Sequence, residues 1–217
     1  MIIFVFFLNM TPNYDALFTF YMTDELKFTT TDLANFAFIG TLSYIIGLIL
    51  YSYWLIKIDA RKFYLGTNFL LWIFNVAFML VVLGWIEKWG LDNKTFCFMN
   101  QGIFSLINEI NFMPILAIWC GICPKNLEAT SITLFTGILN FSWAMASYFS
   151  SLLIVIVGFK SGHYENMWHL LVIQNSYLLL TAIAIMFAEF PDSKKIREEA
   201  QLEMVAQQNA PNQHLVD

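Results

Sequence analysis

Charge is scarce in this chain. Only 12% of its 217 residues are Asp, Glu, Lys or Arg, about half the share found in an ordinary soluble domain. Hydrophobic residues make up 59%, aromatic residues 18%, and the mean hydropathy is +0.63. A soluble core of this length cannot hide so much apolar surface. No basic patch exists, which argues against nucleic acid as a partner. The net charge of -5 owes much to Asp192, Glu198, Glu199, Glu203 and Asp217, which follow the last apolar run and do not describe the apolar part. Cysteine is scarce as well. Cys97, Cys120 and Cys123 are too few, and too apolar in setting, to form a disulfide framework.

Catalytic and metal motifs are missing too. Cys120-Gly-Ile-Cys123 has metal or redox spacing but stands alone at a helix end, so neither metal nor cofactor is expected. No Ser-His-Asp set or phosphate loop occurs, and an enzyme is not expected. The run after Met1 lacks the basic leader and the small-residue cleavage site of a secretory signal. It reads as a membrane span that begins without a soluble preamble, and the chain is expected to start inside a longer architecture.

What the chain does have is apolar length. Six runs lie at about 1–22, 33–56, 63–86, 97–122, 131–157 and 168–190, each near the ~20 residues that cross a bilayer as a helix. They lack the alternation of a membrane barrel. The expected fold is an all-α, integral multi-pass membrane protein, with a six-helix bundle over 1–190 and a cytoplasmic, largely disordered tail over 191–217. Pro191 ends the last helix, Lys194, Lys195 and Arg197 sit at headgroup level, and the Gln, Asn and Pro run past Gln207 has no apolar face to bury. Orientation follows from the basic residues of the links. Lys57, Arg61, Lys62, Lys125, Lys194, Lys195 and Arg197 lie on one side, and Lys27, Lys88, Lys94 and Lys160 on the other. The richer side is expected in the cytoplasm. Asn93-Lys94-Thr95, a glycosylation sequon, then faces outside or a lumen.

Polar residues within the runs carry the functional expectation. Asp15 lies in the first run, just after Thr11-Pro12, and Glu109 lies still deeper in the fourth. An ionisable group at the bilayer centre costs roughly 2.5 to 3.5 kcal/mol on insertion scales, so it marks a site by default. Thr11, Asp15 and Thr19 recur every four residues, and Pro12 is expected to free a backbone carbonyl. Gln101, Ser105, Asn108 and Glu109 share a face, with Asn111 and Pro114 close by. Thr133, Thr136, Asn140, Trp143 and Ser147 line another. These three helices are expected to wall a cavity in which Asp15, Glu109, Asn108, Gln101, Asn140 and Trp143 bind substrate or protons. Bland readings apply to the rest. Asn68, Asn75, Ser147 and the threonines bond between helices or to their own backbone, a reading that stands beside the ligand role for Asn140 as well, and Gly40, Ser43 and Gly47 form a close packing face. His169 reads as interfacial.

TPNYDALFTFYMTDELKFTTTDLANF, followed after the next helix by the basic turn KIDARK, resembles the seventh and eighth helices of the folate-biopterin transporter family, a branch of the major facilitator superfamily. PKNLEATSITLFTGILNF is similar to that family's segment joining helices ten and eleven. The resemblance covers most of 1–190 and carries the family's acids onto Asp15 and Glu128, with Asn126 where members often have Gly. It implies twelve spans in the family against six here, hence the C-terminal bundle alone. The implied function is membrane transport of folate or pterin-like solutes, as half of a twelve-helix transporter completed by a second six-helix bundle or a homodimer. The buried acids add a route to proton coupling, since desolvation raises a carboxyl pKa toward physiological pH. A non-transporting six-span scaffold or an inactive fragment is the alternative. A pterin edge with two adjacent N–H donors suits a carboxylate, Asp15 or Glu109, and its flat face suits Tyr14, Trp119 or Trp143. A glutamate tail needs a cation, which this half does not supply at membrane depth.

Overall fold

The computed structural model describes residues 2–55, 58–122, 127–159 and 164–187, and the expectations for the tail, Cys123, Lys125 and Asn126 lie outside them. Within these residues the chain is helical, without a strand: α1 (Ile2–Asn9), α2 (Asp15–Asp24), α3 (Thr30–Tyr53), α4 (Ala60–Val82), α5 (Trp85–Lys88), α6 (Asn93–Ile122), α7 (Glu128–Val157) and α8 (Met167–Phe187). Among the described residues five helices are long and apolar enough to cross a membrane, namely Thr30–Tyr53, Ala60–Val82, Asn93–Cys120, Ala129–Val157 and Tyr164–Met186.

Several of these helices start before their apolar runs because polar caps carry them outward. Thr29 and Asp32 form a reciprocal capping box at the head of α3. Asp59 accepts from the Lys62 N–H at the head of α4. Asp92 accepts from both the backbone and the hydroxyl of Thr95 at 2.8 Å, and these bonds hold its carboxyl below the usual carboxylate range. A lowered carboxyl stabilises the fold above its unfolded pKa, and that contribution is lost as pH falls through the lowered value. The third apolar run is cut short instead. Gly84 adopts a left-handed backbone (φ 68) after Val82, and α5 turns away with Trp85 and Trp89 exposed and Ile86 buried.

The first expected span is not one helix. Pro12 has no N–H to donate and its ring blocks the preceding turn, so α1 ends at Asn9 and α2 begins at Asp15. At 1.5 Å per residue neither piece approaches the ~30 Å hydrocarbon core alone. They occupy opposite ends of the bundle. Val5 and Leu8 of α1 are buried with Tyr64, Ile115, Phe135, Leu139 and Ile185. Leu17, Tyr21 and Met22 of α2 are buried with Val81, Ile86, Cys97, Met167 and Leu170.

α6 is the hub, packed most extensively against α3 and then α4, while α4 also packs along α8, and α7 rests mainly on α1. The links sort themselves by end. Lys94 pairs with Asp32 at 3.0 Å, donates to the Lys27 carbonyl and lies over the Phe28 ring. Tyr164 donates to Asp24 at 2.5 Å. The first, third and fifth links therefore meet at one end. At the other, Arg61 donates to the Met186 carbonyl. Buried Asn93 gives its amide to Glu87 at 2.7 Å, so this sequon side chain is committed to packing in the folded protein.

Burial also dictates how the topology is tested. Ala60 and Asn93 are both buried, whereas Ile58 and Leu91 are exposed. Cysteines at 58 and 91 are expected to react with an impermeant maleimide from opposite faces of the membrane. Reaction of both from one face would show that the number of crossings between them is wrong.

Candidate functional site

The break between α1 and α2 is held by its own side chains. Asn13 Oδ1 accepts the Asp15 N–H at 2.7 Å while Asn13 Nδ2 donates to Asp15 Oδ2 at 2.8 Å. The Asn13 N–H reaches across to Ser150 Oγ on α7 at 2.8 Å. Asp15 is thus fixed as the first residue of α2, exposed, where the helix dipole favours a negative charge. The stripe expected from Thr11, Asp15 and Thr19 does not form, because Thr11 lies in the break and bonds to Leu8, and Thr19 bonds to the Asp15 carbonyl. Tyr14 is corrected as well. Its ring is 3% exposed inside the core, so it cannot stack on a ligand.

Small residues bring α3 against the polar face of α6. A Cβ added at Gly40 would lie 3.0 Å from Gln101 Nε2, and one at Gly47 would lie 2.8 Å from the Leu106 carbonyl and 3.3 Å from the Glu109 Cβ. This is the expected close packing face. It also orders the α6 side chains. Gln101 Nε2 donates to Ser105 Oγ at 3.2 Å, and Asn108 Nδ2 donates to the Tyr44 hydroxyl of α3 at 2.8 Å. Glu109, half-buried beside them, has no hydrogen-bond partner among the described residues. Asp15 and Glu109 both lie within electrostatic reach of the Tyr44 hydroxyl.

Tyr44, Asn108 and Glu109 therefore lie together near the middles of α3 and α6, with Asp15, clasped by Asn13 at the break, within electrostatic reach of Tyr44. Asn111 turns the other way and accepts from Thr67 of α4 at 2.5 Å. Of the aromatics expected to stack, Trp119 is committed, with its ring on Phe135 and its N–H on the Ser131 carbonyl. Trp143 is 52% exposed and free to stack. Thr133 and Thr136 bond back to their own helix, and Asn140 beside them is exposed with no hydrogen-bond partner among the described residues. Asn75 likewise bonds to its own helix. Asn140 and Trp143 thus share an uncovered face of α7 and are not brought into contact with the Tyr44 group.

Tyr44 is the residue that sequence reasoning missed. A signal existed, since it lies three residues before Gly47 and four after Gly40, at the edge of the close-packing face. What the spacing lacked was the identity of the facing helix. The side chain of Glu128, the other acid carried over by resemblance, falls outside the described positions.

The arrangement offers one available carboxylate, a second carboxylate held by an amide, and a phenol within electrostatic reach of both. Such a set can take adjacent N–H donors of a planar ligand, or bind and release a proton.

Known proteins carry the same sequence pattern. Folate transporter 1 of Plasmodium falciparum is 28% identical over 79% of this chain and 34% of its own length. Probable folate-biopterin transporter 4 of Arabidopsis thaliana is 27% identical over 81% and 35% respectively. The folate-biopterin transporter of Synechocystis sp. is 24% identical over 82% and 36%. The chain spans about a third of the length of these relatives. No solved structure matches it. The model of the BT1 family, by contrast, matches residues 1–207, nearly the whole sequence, and on that match the chain belongs to the BT1 family.

Proposed function

We propose that this chain is the C-terminal-type bundle of a folate or pterin transporter, with the Tyr44–Asn108–Glu109–Asp15 group as its ligand and proton site. The observation that carries the reading is Glu109, a half-buried carboxylate in the middle of a membrane helix, without a hydrogen-bond partner among the described residues. An intramembrane acid left open in this way is costly unless a ligand, a proton or water meets it. The names of the relatives supply the solute class.

The broken α1–α2 pair serves as the sixth crossing. Its pieces pack at opposite ends of the bundle, and the break falls where Asp15 joins the site. Discontinuous helices at mid-membrane are tolerated where unwound backbone lines a cavity, and secondary transporters use them at binding sites. Six crossings of this kind resemble half of a major facilitator superfamily transporter. The uncovered Asn140 and Trp143 on α7 support a second bundle, since an amide facing bare lipid without a partner is unfavourable. Alternating access then arises as the two bundles rock about the site.

Saturable binding of a fluorescent pterin to the purified chain in lipid nanodiscs is expected. Absence of binding under conditions where the protein is folded would overturn the substrate assignment. Vesicles holding one copy of the chain are expected to show no uptake, and uptake by such single copies would overturn the need for a second bundle.

A further inference from the structure

Helix packing does not account for the Tyr44 hydroxyl. The residue is 39% exposed, and its oxygen accepts the Asn108 amide at 2.8 Å. A phenol has one proton to give as well as an oxygen to accept with. With the amide on its oxygen, the proton must point elsewhere, and no acceptor takes it among the described residues. The other amide nearby, Gln101, is turned to Ser105. Glu109, next to Asn108 on α6, can only accept when ionised, and it too is without a partner. The site therefore presents an acceptor pair and one donor on the same stretch of the α3–α6 contact, Tyr44 bonded to Asn108 and Glu109 lying against Gly47.

The geometry points to Tyr44 as the specificity-determining donor of the site, giving its proton to a ring carbonyl of a planar heterocycle whose adjacent N–H edge is taken by Glu109. The inference rests on the transport reading above and deepens it. Along one edge a 2-amino-4-oxo ring carries an amino donor, a ring N–H donor and a carbonyl acceptor. The carboxylate meets the first two and the phenol meets the third. Replacing the 4-oxo group by an amino group turns that acceptor into a donor, removes the ring N–H proton, and sets two donors against each other at Tyr44. A site built around a hydrogen bond rejects the mismatched analogue because its own polar group is left unpaired.

The test compares 2-amino-4-oxopteridine with 2,4-diaminopteridine, binding each to the purified full chain in nanodiscs and following pteridine fluorescence. The wild-type chain is expected to favour the oxo ring by about tenfold or more. In Tyr44→Phe the preference is expected to fall by about threefold or more, by loss of oxo affinity with the diamino affinity unchanged or higher, a change that general misfolding does not mimic. The ring N–H that Glu109 meets only in the oxo ring keeps part of the preference. Asn108→Leu frees the phenol oxygen to accept, so its preference is expected to fall from the other side, by a gain in diamino affinity. An unchanged preference in Tyr44→Phe, or equal binding of the two rings by the wild-type chain, would overturn the role of Tyr44 and leave the transport reading standing. No binding of either ring by the folded wild-type chain would overturn both.

Discussion

Glu109→Gln is expected to abolish accumulation of substrate against a gradient, by at least about tenfold, while the protein still folds and inserts. The substitution keeps the volume and the hydrogen-bonding capacity of the side chain but removes its charge and its proton. Glu109 is half-buried in α6, beside the Asn108–Tyr44 bond and against Gly47, and no hydrogen bond holds its carboxylate among the described residues. Nothing structural in these residues thus depends on the ionised form. Burying an uncompensated carboxylate is unfavourable, so stability is expected to be unchanged or higher. The measurement is uptake with and without an imposed proton gradient, in an assembled transporter carrying this chain, alongside surface expression. Gradient-driven uptake at the wild-type level would remove Glu109 from the mechanism. The functional assignment would then pass to Asp15, whose carboxylate already holds Asn13.

Gly47→Ala is expected to destabilise the bundle by about 1 to 3 kcal/mol, the range for overpacking a close contact. The added methyl would sit 2.8 Å from the Leu106 carbonyl oxygen, and that backbone atom, fixed in the middle of α6, cannot swing aside. Its other neighbour is the Glu109 Cβ at 3.3 Å. Relief therefore requires α3 to move off α6, which would also carry Tyr44 away from Asn108. The expected readouts are a thermal midpoint lowered on the order of 5 °C in detergent and weakened pterin binding. Gly66→Ala is the control, because its added methyl meets nothing within 4 Å. It is expected to be neutral or slightly stabilising. A Gly47→Ala protein as stable as wild type would mean that α3 and α6 are further apart at Gly47 than the 2.8 Å approach to the Leu106 carbonyl.

Both outcomes turn on the approach of α3 to α6, and this is where legibility from sequence ends. The apolar runs were readable because covering a bilayer requires about 20 residues of helix, a demand that falls on local sequence alone. Gly40 and Gly47 announced a close contact for the same reason, since small residues at helical spacing make a groove whatever fills it. Asp15 and Glu109 stood out by their cost at membrane depth. Their accessory groups did not. Helical spacing put Gln101, Ser105, Asn108 and Glu109 on one face, but not the phenol opposite them.

Composition, periodicity and the cost of buried charge act residue by residue, and they were enough to establish a helical membrane protein, its long apolar runs and the acids within those runs, while its motifs carried the family resemblance. That Pro12 splits the first run into two helices at opposite ends of the bundle became visible in the packing, since a proline in a membrane helix can either kink or break it according to what satisfies the freed backbone. Here the Asn13–Asp15 clasp and Ser150 do so. Packing likewise made Tyr14 core and left Trp143 free, two aromatics with equal claims in sequence. The reason is common to all of these. A helix fixes which side chains share a face, and packing alone fixes what that face meets.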